Sequence, residues 1–292
     1  MENSGPESHV KKSPYQMIKK NRLATGVIRT FQKVIYNYYK THRRAFPWRN
    51  TRNPYHILVS EIMLQQTQTD RVIKKYTQFV TQFPDFFSLN RTLLQEILRQ
   101  WQGLGYNRRA VALKNIARIV VEQFQGRLPS SVEVLMTLPG IGKATASAIT
   151  AFAFNAPAVF IETNIRTVFI HFFFQDKHTI KDCEILPFVE KTLDASNPRR
   201  WYYALMDYGV MLKKLYPNMS RKSGHYRKQT PFKGSNRQMR GMILKALTAT
   251  TDASEKELIQ TLHISAEQIR KNLIQLEKEG FIKRTGKRFS IV

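Results

Sequence analysis

The chain has 292 residues, 42% of them hydrophobic, which is enough for a core and for more than one domain. Lys and Arg number 47 against 21 Asp and Glu, and this net charge of +26 predicts a polyanionic partner, nucleic acid before an anionic membrane. The sequence contains no apolar run of about 18 residues, so no membrane span is predicted, and no signal peptide is visible. The single cysteine, Cys183, excludes an intramolecular disulfide and a cysteine-rich metal site. We therefore expect a cytoplasmic, nucleoid-associated protein.

In chain order, residues 1–24 predict a basic, flexible tail. An amphipathic helix follows from Gly26, and after Pro47 and Pro54 the pattern predicts one long amphipathic helix. Further helical patterns continue to about residue 174, and no pair of alternating strands joined by a hairpin turn interrupts them. The body of the chain is therefore predicted to be all-α.

A basic stretch separates this body from the C-terminal residues. Residues 211–240 carry nine Lys or Arg and no acid. We favour a strip that follows a phosphate backbone, with a solvated linker as the alternative. Within it, residues 229–236 are predicted to link two domains.

Residues 237–292 predict a small winged helix-turn-helix domain (α+β). Three helical patterns come first, the second capped by Ser254 with Glu257 three residues on and the third beginning at Ser265. A β-hairpin turning near Thr285 and Gly286 follows as the wing. The second and third helices suit a DNA groove, and a protein-binding role is the alternative.

The stretch LPGIGKATA, residues 138–146, predicts a tight turn between two helices. Gly140 and Gly142 remove side chains from the turn, so another molecule can approach the backbone closely. The first N–H groups of the helix after Gly142 have no partner within the helix and lie at the positive end of its dipole. Such a turn binds an anion, here a nucleic-acid phosphate, with Lys143 adding charge and Thr145 a hydroxyl group.

Six segments follow one another along the chain: PWR at 47–49, NPYHILVSEIMLQQTQ at 53–68, GLGY at 103–106, LPGIGKATA at 138–146, ETNIRTV at 162–168 and MDYG at 206–209. Together they resemble the helix-hairpin-helix superfamily of DNA glycosylases, which includes the endonuclease III type. The SEIMLQQT block is most similar to the adenine glycosylase (MutY) type. The resemblance implies an all-α, two-lobed helix-hairpin-helix glycosylase core, which we assign to residues 25–228.

The resemblance also implies an activity: hydrolysis of the N-glycosidic bond of a mispaired or damaged base in double-stranded DNA, in base-excision repair. Adenine opposite 8-oxoguanine or guanine is the first expectation, and uracil or thymine opposite guanine is the alternative. A DNA-binding protein without catalysis is the alternative from another class. We expect the chain to act as a monomer, without a membrane, and a protein partner of the winged helix stays open.

Glycosidic bond cleavage requires an acid for the leaving group and a negative charge near the cationic sugar, so paired carboxylates are the general solution. Glu61 stands in the apolar stretch ILVSEIMLQQ, where partial burial would raise the pKa of a carboxyl group, as suits a general acid. The resemblance implies that Glu61 protonates the base. A capping or salt-bridged acid is the alternative.

Glu162 stands where the resemblance places an Asp that stabilises the sugar cation and orients the nucleophile. Its side chain is one methylene longer, which moves the carboxylate by roughly 1 Å, a displacement that matters for catalysis. The alternative is a structural helix cap. Asn164 matches the family's Asn after that acid.

The remaining site residues follow from the resemblance. Gln65 and Gln66 would probe or fill the duplex beside a flipped base, and Tyr106 would wedge into the base stack. Trp48 and Arg49 would lie near the base pocket. The hairpin contributes the DNA contacts Leu138, Gly140, Gly142, Lys143 and Thr145.

The chain departs from the family pattern at several positions. Ala144 replaces the lysine of members with lyase activity, so we predict a monofunctional hydrolase. The four cluster cysteines are replaced by Lys213, Ser220, Ser223 and Gln229, which predicts no cofactor and no [4Fe–4S] cluster. Tyr203 replaces the Gln or Glu that contacts the adenine edge, which puts the excised base in question. A winged helix also stands in place of the β-rich domain that recognises 8-oxoguanine.

Overall fold

The computed structural model of the chain describes residues 23–216, 219–224, 226 and 231–292; most of the predicted tail and Gln229 lie outside these ranges. Its regular elements are α1 Thr25–His42, α2 Pro54–Leu64, α3 Thr69–Gln82, α4 Phe86–Arg91, α5 Leu94–Trp101, α6 Arg108–Phe124, α7 Val132–Met136, α8 Lys143–Phe154, α9 Thr163–Phe173, α10 Asp182–Thr192, α11 Pro198–Leu215, α12 Asn236–Ala249, β1 Ala253–Ser254, α13 Glu255–Leu262, α14 Ala266–Lys278, β2 Ile282–Thr285 and β3 Arg288–Ile291. The structure is thus mostly helical, as predicted. Among the helices described, none is long and apolar enough to cross a membrane.

The chain divides into two compact units, described separately below. The first takes the described residues of 23–45 and 155–226, and the second takes those of 46–154 and 231–292. The C-terminal segment therefore groups with residues 46–154. The domain boundary near residue 236 stays a prediction.

An aromatic core holds the first unit together. Phe31 of α1 packs its ring edge-on against Phe172 of α9 and Trp201 of α11, with centroids 5.0 and 5.8 Å apart. Such pairs add about 0.5–1.5 kcal/mol beyond the burial of their area. Helices α9 and α11 approach closely at Gly209, where a Cβ atom would lie 2.4 Å from the carbonyl oxygen of Asn164.

In the second unit, α2 is a central helix. Asn53 caps its N-terminus by accepting hydrogen bonds from the backbone N–H groups of Tyr55 and His56, and Pro54 occupies the first helical position, where its missing N–H is harmless. Seven of its eleven residues are buried, so both faces contact protein rather than one. A helix of this kind holds its few polar side chains in fixed positions.

The sequence prediction of one long helix after Pro54 is wrong. The helix ends at Leu64, and α3 begins only at Thr69. The residues between them include Gln66, whose φ of +54° lies outside the helical region. The apolar periodicity continues on both sides of this break, so the sequence pattern alone does not reveal it.

The C-terminal segment forms three helices and a small antiparallel sheet. The sheet has the order β1-β3-β2, with Ile282 paired to Ile291 and Ala253 to Phe289. The predicted capping box of α13 is present, since Ser254 accepts from the Glu257 backbone and the Glu257 side chain accepts from Ser254. The hairpin is found where predicted, and the two-residue strand β1 adds to it. The winged-helix assignment itself stays a prediction.

Candidate functional site

The predicted site residues fall in both units. Glu162, Asn164 and Tyr203 belong to the first unit. The second holds the others: Trp48, Arg49, Glu61, Gln65, Gln66, Tyr106, Leu138, Gly140, Gly142, Lys143 and Thr145.

The hairpin between α7 and α8 has the geometry that the sequence predicts. Gly140 has a φ of +76°, and a Cβ atom there would lie 3.1 Å from the Cβ of Ala112. Leu138 and Ile141 are buried and anchor the turn. At Gly142 a Cβ atom would meet nothing within 4 Å, because the turn faces open space there. The N-terminus of α8 therefore presents its first N–H groups at an exposed surface, ready for an anion.

Gln65 joins this hairpin to the end of α2. Its Nε2 atom donates to the carbonyl oxygen of Gly140 at 3.3 Å and to Oγ1 of Thr145 at 3.2 Å. Both predicted DNA contacts, the hairpin and the Gln65–Gln66 pair, are thus parts of one connected surface in the second unit. Lys143 is exposed at the first position of α8.

Two loops of this unit hold non-glycine residues in the left-handed backbone region. Gln66 has a φ of +54° and Tyr106 one of +50°. Gly105, with a φ of +71°, precedes Tyr106. This conformation costs a non-glycine residue about 1–2 kcal/mol, and such strain clusters at ligand-binding sites. Both strained residues are among those that the resemblance assigns to the duplex.

Arg109 fixes both loops and was missed by sequence reasoning. Its guanidinium group donates seven hydrogen bonds of 2.6–3.4 Å: to the carbonyl groups of Ile62 and Met63 at the end of α2, and in the two loops to the carbonyl groups of Gln65, Leu104, Gly105 and Tyr106 and the hydroxyl group of Thr67. Arg109 is only 8% exposed, and this burial lowers its pKa to about 10. An arginine on the apolar face of α6, in line with Leu113 and Ile116, is the signal that could have revealed it.

Glu61 is half-buried on α2, four residues before Gln65. This spacing puts both residues on the same side of the helix. The carboxyl group thus stands one helical turn from the strained loop, on an element that is otherwise mostly buried. Its location agrees with the prediction, and its role as a general acid stays a prediction.

Trp48 and Arg49 lie on the 3-10 turn before α2. Trp48 is 4% exposed, and its ring stacks on Phe46 with centroids 5.0 Å apart and meets Tyr76 edge-on at 5.4 Å. The Arg49 guanidinium lies 5.0 Å from the centre of the Phe46 ring. Trp48 is therefore a packing residue in this structure, and contact of either residue with a base stays a prediction.

In the first unit, Glu162 caps α9. Oε1 accepts the backbone N–H groups of Asn164 at 2.8 Å and Ile165 at 2.9 Å, and Oε2 accepts from Nδ2 of Asn164 at 3.2 Å. The helix cap that the sequence left as an alternative is thus present. A cap does not exclude a chemical role, because these donors hold the carboxylate in one place.

Lys213 of α11 completes this arrangement, a role that the sequence analysis did not predict for it. Its Nζ atom donates to Oδ1 of Asn164 at 2.7 Å, which leaves Nδ2 of Asn164 to face Glu162. Burial lowers the pKa of Lys213, and the charge of Glu162 acts in the opposite direction. The three side chains form one hydrogen-bonded line, ammonium to amide to carboxylate.

The MDYG segment precedes Lys213 on α11 and approaches α9 closely at Gly209. Asp207 is buried and accepts hydrogen bonds from Nε and the backbone N–H of Arg44, at 2.6 and 3.0 Å. Tyr203, one turn earlier, is 6% exposed. Its predicted contact with a base edge stays a prediction.

The described residues do not fit an iron–sulfur cluster. Such clusters take thiolate ligands, whereas the corresponding positions are Lys213, Ser220, Ser223 and Gln229. Lys213 is engaged by Asn164, and Gln229 lies outside the described ranges. The single cysteine, Cys183, is exposed on α10.

Comparison with known proteins places these observations in a family. Residues 59–186 match the HhH-GPD superfamily of base excision DNA repair proteins. An adenine DNA glycosylase of Buchnera aphidicola subsp. Baizongia pistaciae is 36% identical over 186 residues, which are 62% of this chain and 52% of that protein. A thymine/uracil-DNA glycosylase of Methanothermobacter thermautotrophicus is 36% identical over 146 residues, 50% of this chain and 66% of that protein. A solved thermostable thymine-DNA glycosylase has a TM-score of 0.58 at 28% identity, covering 66% of this chain and 90% of that one.

The hairpin and the motif order agree with these matches. Residues 59–186 belong to the HhH-GPD superfamily of base excision DNA repair proteins, and the chain is similar to adenine DNA glycosylases. The resemblance stated from the motifs is thereby confirmed. The chain spans about half the length of the adenine DNA glycosylase from Buchnera.

Proposed function

We propose that the chain is a DNA glycosylase that hydrolyses the N-glycosidic bond of a mispaired base in double-stranded DNA. The observation that carries the proposal is Glu61, a half-buried carboxyl group one helical turn before the strained Gln65–Gln66 loop, in a chain of this superfamily. An enzyme that acts on a base must extrude it from the stack, and strained probing loops suit that task.

In this proposal Glu61 is the general acid. It donates a proton to the leaving base, which weakens the glycosidic bond and lets the sugar approach an oxocarbenium ion. The buried helix α2 fixes the carboxyl group, so little reorganisation is needed at the moment of reaction.

Glu162 has the electrostatic role. Its fixed negative charge stabilises the sugar cation, and water then adds to the anomeric carbon. Three hydrogen bonds hold the carboxylate, and the Lys213–Asn164 pair sets its orientation. The longer side chain of Glu compared with Asp is accommodated by this cap.

The excised base is adenine opposite 8-oxoguanine or guanine in the favoured version. The similarity to adenine DNA glycosylases and the SEIMLQQT block support it. Thymine or uracil opposite guanine is the second candidate, because the thymine/uracil-DNA glycosylase and the thymine-DNA glycosylase are also similar to this chain and Tyr203 departs from the adenine pattern.

The proposed enzyme has neither a lyase lysine nor an iron–sulfur cluster. Ala144 offers no amine for a Schiff base at the family's lyase position, so we propose a monofunctional hydrolase that needs no iron–sulfur cluster. We place it in the cytoplasm with the nucleoid, as a monomer whose C-terminal segment binds DNA. Borohydride trapping of a covalent DNA adduct would contradict the monofunctional assignment.

Base release from labelled duplexes tests the proposal. The panel holds A opposite 8-oxoguanine, A opposite G, T or U opposite G, and hypoxanthine opposite T, with hot alkali to cut abasic sites. We expect cleavage at one mismatch and its loss in Glu61→Gln. The matched control is Glu190→Gln, which removes the same charge from an exposed position and should leave cleavage unchanged.

A second outcome would reject catalysis. Tight duplex binding with no cleavage in the panel, and no difference between wild type and Glu61→Gln, would make the chain a DNA-binding protein. Cleavage at T or U opposite G alone would select the second candidate.

A further inference from the structure

Charge is distributed unevenly along the C-terminal segment. Residues 255–279, which hold α13 and α14, carry five Glu and four Lys or Arg. Residues 280–292, which hold the β-hairpin of β2, β3 and their turn, carry four Lys or Arg and neither Asp nor Glu. All four are exposed: Lys283, Arg284, Lys287 and Arg288. The positive charge at the end of the chain is therefore concentrated at the tip of one β-hairpin.

The strand register directs part of this charge away from the core. Directly paired residues of antiparallel strands lie on the same face of a sheet. One face of the β-hairpin carries Ile282, Phe289 and Ile291, which are buried. Lys283 and Arg288 lie on the opposite face. The β-hairpin thus packs through one face and presents cations on the other.

The cations of the β-hairpin differ in whether they are already engaged. Arg288 forms ion pairs with Asp252 at 2.7 Å and with Glu257 at 3.2 Å. Lys283 and Lys287 have no ion pair with a described residue. An ammonium group binds a phosphate as a point charge and needs no fixed geometry. Both lysines therefore suit a phosphate backbone.

Helix α14 is less suited to a polyanion. In helix-turn-helix proteins the second helix of the motif enters the major groove, and α14 has this place in the predicted winged helix. At its C-terminal end, Glu279 binds the guanidinium groups of Arg108 and Arg240, which ties α14 to the start of α6. Its exposed face carries Glu267 beside Ile274, which is 61% exposed. An acidic and an apolar side chain at this place do not favour a groove lined by phosphates.

The β-hairpin is close enough to meet a duplex bound by the second unit. Arg237, in the first turn of α12, donates from Nη1 to the hydroxyl oxygen of Tyr106 at 2.7 Å, and β3 packs against the same helix. Helix α12 has 14 residues and is therefore about 21 Å long. This length corresponds to about six base-pair steps of 3.4 Å. A duplex at Tyr106 thus extends far enough to reach the β-hairpin.

We propose that Lys283 and Lys287 bind the phosphate backbone of the duplex beside the site of base excision, and that α13 and α14 read no bases. This proposal rests on the proposed function and specifies what the C-terminal segment contributes to it. Phosphate contacts position a protein on DNA and carry no sequence information. The segment therefore strengthens the grip on the duplex without selecting the mismatch.

The salt dependence of duplex binding tests the proposal. The full chain is titrated with a duplex that carries a tetrahydrofuran abasic-site analogue, from about 50 to 200 mM salt, where each phosphate contact contributes about 0.9 to the slope of log K against log salt. The double variant Lys283→Gln, Lys287→Gln should lower this slope by about 1.8, so its affinity deficit relative to wild type should shrink about tenfold across the range. The control Lys256→Gln, Lys271→Gln removes the same charge from exposed positions of α13 and α14 and should keep the wild-type slope.

Three outcomes would overturn the proposal. They are a wild-type slope in the variant of the β-hairpin, a slope lowered by the control pair instead, and an affinity ratio that changes with the sequence of the flanking base pairs. Base release at saturating enzyme should be equal in wild type and both double variants, because a backbone contact acts on binding and not on the chemical step. Since the analogue cannot be cleaved, the slopes are measured independently of base release, and absence of cleavage in the panel above would reject the proposed function alone.

Discussion

Replacing Arg109 by Met should destabilise the chain by about 3–5 kcal/mol. Three of the seven oxygens that Arg109 contacts, the carbonyl groups of Ile62, Met63 and Leu104, lie in buried surroundings. A buried acceptor left without a donor costs about 1–3 kcal/mol. The other four oxygens lie nearer to solvent, so water replaces part of their hydrogen bonding and they add little. Met keeps much of the apolar volume, so the loss reports on the guanidinium group.

Urea unfolding followed by circular dichroism measures this loss. Arg118→Met is the matched control on the same helix, because its exposed pair with Glu122 at 3.4 Å is worth only about 0.3–0.5 kcal/mol. The loss of unfolding free energy in Arg109→Lys should lie between zero and that of Arg109→Met, since one ammonium group cannot reach both loops. A loss below about 1 kcal/mol in Arg109→Met would refute the view that this side chain holds the Gln66 and Tyr106 loops in their strained form.

Three further predictions follow from the site. Gly142→Ala should leave the unfolding free energy within about 0.5 kcal/mol of wild type yet weaken duplex binding in a titration, because the added Cβ faces open space where the phosphate would approach. Gly140→Ala should lower the unfolding free energy by about 1–2 kcal/mol, because of the positive φ at this position. Equal duplex binding by both variants and wild type would contradict the phosphate site. Lys213→Met should raise or keep the melting temperature, because it removes a half-buried charge, and should slow base release about tenfold or more. The control is the same change at Lys214, the neighbouring exposed lysine, and unaltered rates in Lys213→Met would make the ammonium group merely structural. The guanidinium groups of Arg108 and Arg240 hold the pKa of Glu279 at about 2. The stability from this carboxylate is therefore complete above the ordinary pKa of about 4.3 and is lost as the pH falls through about 2. Glu279→Gln should be less stable than wild type at pH 7 and nearly equal to it near pH 2, and a constant difference across this range would contradict the assignment.

Local signals predicted much of the fold. The LPGIGK turn, the helix start at Lys143 and the capping box at Ser254 all depend on residues within a few positions of each other. Such signals act through short-range hydrogen bonding and backbone preference, which the sequence displays directly. They also lie in segments where the local preference agrees with the final structure.

The parts that could not be predicted depend on distant partners. The break between α2 and α3 follows an apolar pattern that favours continuous helix, and Arg109, more than forty residues away, holds the loop through hydrogen bonds. Lys213 and Asn164 are likewise 49 residues apart in the chain. Tertiary contacts overrode local preference at these places, and both places belong to the candidate site.

The contacts that hold the C-terminal segment determine what a truncated form of this protein would lose. Arg99 donates to the carbonyl oxygen of Thr248 at 2.9 Å, Gln95 donates to that of Thr250 at 2.9 Å, and Arg108 relies on Glu279 for its ion pair. A chain cut before α12 would lose these partners together, along with the hydroxyl contact that Arg237 makes with Tyr106. Residues 231–292 therefore support the neighbouring loops, and residues 46–154 expressed without them would lack these contacts.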